Sequence, residues 1–177
     1  MDIVEIVQKN LGYPPVKKID PNTSEPVDKE EKYEAGSLAQ AAIPVTLIGI
    51  LNYMELKLKT VNELSDRHPA QVQTLFEKNY DEIIAHVARY SGTTEFQVTQ
   101  EMNFILKEAM RVILEIKKTT SLSAHEFVVA SRAASVLYLP ASLHLGTLLG
   151  DNHIDDNTTK MEGPISSVMH SLENKFK

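Results

Sequence analysis

The run GDNHIDDNTTKME, Gly150 to Glu162, sets four carboxylates among amides and hydroxyls between two apolar segments. A helix-loop-helix calcium site draws on positions 1, 3, 5, 7, 9 and 12 of its loop and needs glycine at position 6. Counted from Asp151, positions 1, 5 and 12 fall on Asp151, Asp155 and Glu162. Position 3 is His153, a nitrogen donor that a hard cation disfavours, and Asp156 takes the place of the glycine. Gly163-Pro164 follows directly, where the exiting helix should already be under way. Thr159 and Glu162 instead have capping-box spacing, and Asp155, Asp156 and Asn157 suit a turn or a helix start. The segment reads as a capped, solvated turn. A degenerate calcium loop over 151–162 is the competing reading.

Six histidines, His68, His86, His125, His144, His153 and His170, could serve a transition metal or acid-base chemistry. Glu82 and His86 share a helix face at i, i+4, but there is no HExxH and no Glu-x-x-His pair of the di-iron kind. They are expected to form a surface pair. His144 lies in the apolar LHLG and is expected to be a hydrogen-bonded core or interface histidine, whereas His170 is expected to be exposed. With no cysteine present, disulfides, thiolate metal sites and cysteine nucleophiles are excluded. The nucleophile elbow GxSxG and the phosphate loops GxGxxG and GxxxxGK[ST] are also absent. No catalytic, cofactor-binding or metal-ligating residue is therefore assigned. A metal-dependent enzyme using histidine and carboxylate ligands is the alternative class. Arg132, among the small and apolar neighbours of VVASRAASVLYLP, needs a carboxylate partner if buried; Glu101 and Glu108 are the candidates.

The elements that must position these residues are helical, because apolar residues recur at helical spacing and strict alternation is scarce. A first helix is expected over about Asp2 to Asn10, stopped by Gly12. From Tyr13 to Gly36 the chain holds four of its eight prolines and a charged cluster. This long connection, 13–36, is expected to be irregular, exposed and mobile. Ser37 and Gln40 have capping-box spacing at the start of the next helix, which Pro44 should kink or interrupt. Its most apolar run, Ala39 to Leu51, is too short to span a bilayer, which takes about 20 residues, and is expected to be a buried helix.

A helix starting near Asp66 or His68 with Pro69 should run to Tyr90 and close at Gly92. Thr94 with Gln97 starts a long helix with Phe96, Val98, Met102, Ile105, Leu106, Ala109, Val112, Ile113 and Ile116 inward. Ser123 with Glu126 starts another, from Ala124 to Tyr138, apolar on most faces and so expected at the bundle centre. Pro140 interrupts it, and a further segment runs to Gly150. The last helix, 164–176, carries Ile165, Val168, Met169, Leu172 and Phe176 as one stripe.

A possible duplication of a helix-glycine-helix unit appears at an offset of 80, aligning Ile3-Val4, Val7, Gly12 and Val16 with Ile83-Ile84, Val87, Gly92 and Phe96. Further on, Leu38 and Ala41-Ala42 align with Leu106 and Ala109-Met110. The alanine-rich AAIPVTLIGIL with its internal proline, and later LPASLHLGTLLG, resembles in short pieces the YidB-like bacterial proteins of uncharacterised function. The resemblance implies a small helical fold, no established activity and no functional residues. The chain departs from it in 13–36 and in the acidic loop.

Composition fits this picture: 177 residues, 42% hydrophobic and 24% charged, are those of an ordinary globular domain. A formal charge of −6 disfavours nucleic-acid binding, since phosphates need clustered Lys and Arg. The opening MDIVEIVQKN has no basic region of a signal peptide, so the cytoplasm is expected and no membrane partner is. The expectation is one all-α domain over 1–177, a bundle of six or seven helices. Its expected role is a non-enzymatic scaffold or interaction module, self-associating through helix 164–176, with no cofactor.

Overall fold

The computed structural model describes residues 2–19, 37–56 and 71–149. These are helical or irregular, with no strand among the described residues. The fold is all-α. The loop 150–162, the helix expected over 164–176, the greater part of the 13–36 connection, and His68, His153 and His170 lie outside the described residues.

The first helix, α1, spans Ile3–Leu11 and shows both end signals. The Asp2 carboxylate accepts from the Val4 N–H at 3.1 Å, meeting one of the free donors at the helix start. Gly12 stops the helix in the left-handed conformation, φ 72°, which costs a residue without a Cβ little. Ile3, Val4 and Val7 are buried.

The second helix, α2, spans Leu38–Leu56 and runs through Pro44 without interruption. All residues from 39 to 51 are buried. Fully burying a Leu, Ile or Val side chain stabilises by roughly 1.5–3 kcal/mol, so this helix is the largest apolar contributor. Leu38–Glu55 is long and apolar enough to cross a membrane by length and composition, yet 83% of it is buried inside the fold. The remaining helices surround it: α3 (Val72–Phe76), α4 (Tyr80–Ser91), α5 (Glu95–Thr119) and α6 (Ala124–Val136). Each of them, like α1, packs on α2.

That arrangement moves the centre of the bundle from where the sequence suggests it. In α6 only Phe127, Val128 and Ser135 are buried, and the helix ends at Val136. Its small residues let it lie against α2 rather than be surrounded.

The expected helix up to Tyr90 is broken as well. After α3 comes a 3-10 turn, Glu77–Asn79, with Glu77 at φ 48°. The break is set by a close approach between α2 and α3. A Cβ on Gly49 would lie 2.5 Å from Cε1 of Phe76, so glycine in mid-helix lets the Phe76 ring rest against α2. The Asn103 side chain accepts from the Val72 N–H at 2.9 Å, fixing the start of α3 against α5.

The two helices aligned at an offset of 80 share some local features. Both α1 and α4 end on left-handed glycines, Gly12 and Gly92. Ile3, Val4 and Val7, like Ile83, Ile84 and Val87, are buried, and both helices pack on α2 and α5. The apolar restart differs: Val16 is buried in an extended segment, whereas Phe96 is exposed in the first turn of α5.

Candidate functional site

The residues whose types suggested chemistry are dispersed. His86 Nδ1 lies 2.6 Å from the Leu143 carbonyl; a carbonyl only accepts, so Nδ1 carries the proton. This bond ties α4 to the 3-10 turn Ala141–Leu143, while Glu82 is exposed. His144 is not a core histidine: it is exposed, at φ 49° in the left-handed conformation, with its N–H held by the Ala141 carbonyl. The tight turn directs its side chain away from the apolar residues beside it. His125 is exposed in the first turn of α6. Among the described residues, no three His, Asp or Glu side chains gather as metal ligands.

Arg132 pairs with Glu55 at 3.4 Å, joining α6 to the end of α2, and not with Glu101 or Glu108. Those two acids face α1 instead. Glu101 accepts from the Tyr13 hydroxyl; Glu108 accepts from Asn10 Nδ2 at 2.7 Å and from Arg111 Nε at 2.9 Å. The Arg111 hydrogen bonds hold the Glu108 carboxyl below its usual range, against the opposing effect of burial and with Asn10 assisting.

Gln40 departs most from its expected role. Its side chain does not reach back to cap α2 with Ser37. Its Oε1 accepts from the Lys17 N–H at 2.8 Å, and its Nε2 donates to the carbonyls of Lys17 at 2.9 Å and Tyr138 at 2.7 Å. The Ile19 N–H also donates to the Leu137 carbonyl at 2.8 Å. Residues 13–19 therefore form a strap bound to the fold through Lys17 and Ile19, with Val16 and Ile19 buried and Pro14, Pro15 and Lys18 exposed.

Beside the strap, the Tyr138 hydroxyl donates to Asp2 at 2.6 Å and to Glu5 at 3.1 Å. Lys18 stands 3.6 Å from Asp2 and over the Tyr138 ring. Burial, then the adjacent Asp2 and Glu5, pushes the Tyr138 phenol well above its usual range. Burial and Glu101 do the same to Tyr13. These groups clasp the N-terminal helix and strap onto α5 and α6.

A cavity of about 220 Å3 lies between the ends of α2 and α3, lined by Gly49, Asn52, Phe76, Asn79 and Leu148 among others. Asn52 and Asn79 donate to the Leu149 and Leu148 carbonyls, at 2.5 and 2.8 Å, and so hold one wall in place. Ligand pockets usually run from about 300 to 1,000 Å3, so this space is below that range.

The remaining feature is the outer face of α5. Its helix start has the capping box expected of Thr94 and Gln97. Val98, Met102, Ile105, Leu106, Ala109, Val112 and Ile113 face inward and are buried. Phe96, expected among them, is 70% exposed, and Phe104 is 55% exposed. The correction follows from helical geometry: at 100° per residue, Phe96 lies well round the helix from the Val98–Met102–Ile105 stripe. The two rings stand eight residues apart, about 12 Å along the axis and about 80° around it. Gln97 and Gln100 are exposed beside them, Asn103 is half-buried, and Glu101, half-buried and about 60° round the helix from Phe104, is the charge between the two rings. Phe104 was discernible in the sequence as a large apolar residue off the inward stripe.

The chain matches no protein-family model, no curated protein and no solved structure.

Proposed function

We propose that this chain is a helical protein-interaction module without catalytic machinery, and that the outer face of α5 is its contact surface. One observation carries the reading: Phe96 and Phe104 stand 70% and 55% exposed on the same side of a capped helix. Aromatic residues are enriched among the few residues that dominate protein interfaces. Covering what these rings expose is worth about 2–4 kcal/mol of gross burial energy, from roughly 1.5–3 kcal/mol per fully buried ring. The polar clusters support the same reading, since Gln40, Tyr138, Tyr13 and Glu101 are engaged in holding helices and strap together.

A photo-crosslinking amino acid placed at position 104 tests this in cells. The expected result is discrete protein adducts from position 104 that are missing from position 118, an exposed site far along the same helix. Equal adducts from both positions, or none from 104, would refute the assignment of the face.

A further inference from the structure

We propose that the cavity between the end of α2 and the turn after α3 binds a small α-amino acid with an apolar side chain. No residue of α5 lines it, so it stands or falls independently of the contact face. Its floor is apolar: Phe76 and Leu149 are buried there and Leu75 is half-buried. The floor is also fixed, because the Phe76 ring fills the place where Gly49 has no Cβ, and the Leu148 and Leu149 carbonyls are held by Asn79 and Asn52. The rim differs in kind. Glu77, Lys78 and Thr147 are exposed there and Asn79 is half-buried. Glu77 and Lys78 set opposite charges on one small opening without pairing with each other, and Lys78 has no carboxylate within ion-pair reach among the described residues.

Glu77 supplies a second observation. Its backbone stands at φ 48°, ψ −119°, a conformation that glycine adopts readily and a residue with a Cβ does not. Such strain persists only where the surrounding structure holds it, and it clusters at ligand sites. Here it keeps a carboxylate at a position whose backbone favours glycine. The ligand follows from what the rim and the floor offer. An ammonium group meets the Glu77 carboxylate, which has acceptor sites on both oxygens and so can keep its existing contact. Asn79 Oδ1 is a further acceptor, since its Nδ2 is spent on Leu148 and no described residue donates to the oxygen. A carboxylate meets the Lys78 ammonium and the Thr147 hydroxyl, both donors. A ligand carrying one charge alone would satisfy one of these residues and place that charge beside its like. An α-amino acid carries both on the same carbon, and its side chain turns to the floor. Size then selects among them: a cavity of about 150 Å3 takes benzene, and at the same packing about 220 Å3 takes about nine heavy atoms, the size of leucine or methionine. A ligand that small in a partly open cavity is expected to bind with Kd on the order of 0.1–1 mM.

Titration of the full-length protein with L-leucine, followed by amide chemical shifts, tests this. The shifts should centre on residues 75–79 and 147–149 and saturate by about 10 mM. Three analogues dissect the ligand: 4-methylpentanoate lacks the ammonium, 3-methylbutylamine lacks the carboxylate, and glycine lacks the side chain. Each should bind at least about tenfold more weakly than leucine. Glu77→Gln should weaken leucine by about tenfold and spare 4-methylpentanoate, whereas Lys78→Gln should weaken both and spare 3-methylbutylamine. Both positions are exposed, and that crossed pattern is one a general loss of structure would not produce. Glu77→Gly adds a control for folding, since it relieves the backbone: the melting temperature should rise while leucine binding falls. An absence of shifts at about 10 mM leucine overturns the proposal. So do shifts centred elsewhere, an analogue that binds as tightly as leucine, or full leucine binding in both glutamine variants.

Discussion

Replacing Gln40 with leucine should cost about 3–5 kcal/mol of folding stability. Gln40 is 3% exposed, and its amide makes hydrogen bonds at 2.7–2.9 Å to Lys17 N–H, Lys17 C=O and Tyr138 C=O. Leucine keeps the approximate volume and removes all three. Lys17 is only half-buried, so its two groups can recover water, and each lost bond costs about 1 kcal/mol net. Tyr138 is 1% exposed, so its carbonyl is left without a donor, at about 1–3 kcal/mol. The sum is a fifth or more of the roughly 5–15 kcal/mol that stabilises a typical domain. Urea denaturation at neutral pH measures it, with an unchanged m-value showing that the surface exposed on unfolding is the same. Amide hydrogen exchange supplies the local readout, since Lys17 and Ile19 should lose protection while Val87 in α4 keeps it relative to global stability. A loss below about 1 kcal/mol, or unaltered protection at Lys17, would refute the reading of Gln40 as the strap's anchor. Gln40→Glu separates hydrogen bonding from shape, because a carboxylate oxygen would face two carbonyl oxygens. It should be at least as destabilising as leucine at pH 7, and less so in acid, where the carboxyl regains a donor.

Thr46 is fully buried in α2, and its hydroxyl has no partner among the described residues. Thr46→Val should therefore raise stability by about 1–2 kcal/mol, read as a higher melting temperature; a fall would place an unseen hydrogen bond there. Tyr138→Phe removes the donor shared by Asp2 and Glu5 and should cost about 1–3 kcal/mol. The native Tyr13 and Tyr138 phenols lie above the usual range, so the unfolded chain releases those protons first and stability falls as pH rises above about 10. Tyrosinate absorbance should show a late phase coincident with unfolding, smaller in Tyr138→Phe. The Glu108 carboxyl is held below its usual range, so its contribution is present above about pH 4 and lost as pH falls further. Glu108→Gln should flatten the acid limb of stability against pH, and an identical limb in the variant would count against the Asn10–Glu108–Arg111 linkage.

Helix ends were the most legible part of the fold, because caps are local chemistry. Gly12, Gly92, Thr94 with Gln97, and Ser123 with Glu126 all act where their spacing places them. Ser37 with Gln40 has the same spacing, but Gln40 is bound to residues 23 and 98 positions away. A long-range use of the same amide overrides the local one, and no window of sequence contains that competition. The break at Glu77 is similar, since it depends on Gly49 admitting the Phe76 ring. The partner of Arg132 was equally non-local: nothing in its neighbourhood distinguishes Glu55 from Glu101 or Glu108, and only the docking of α6 on the end of α2 does so.

The candidate site was hidden for a different reason. Hydrophobic periodicity assigns apolar residues to the core by default, and Phe96 sits next to a stripe that is indeed buried. A core position and a contact position carry the same residue type, so composition does not separate them; the angle around the helix does. α2 is surrounded by the other helices and takes the inward side of α5, and α1 takes the side that bears Glu101 and Glu108. Val72 and Tyr80 bind Asn103 and Thr99 on the opposite side. Between these flanks, Phe96, Gln100 and Phe104 are left outward by the packing of their neighbours. Phe96 and Phe104 leave 70% and 55% of their surface outside this packing, and that surface is what the proposed contact would cover. If Phe96→Gln with Phe104→Gln left association, crosslinking and stability all unchanged, there would be no such contact.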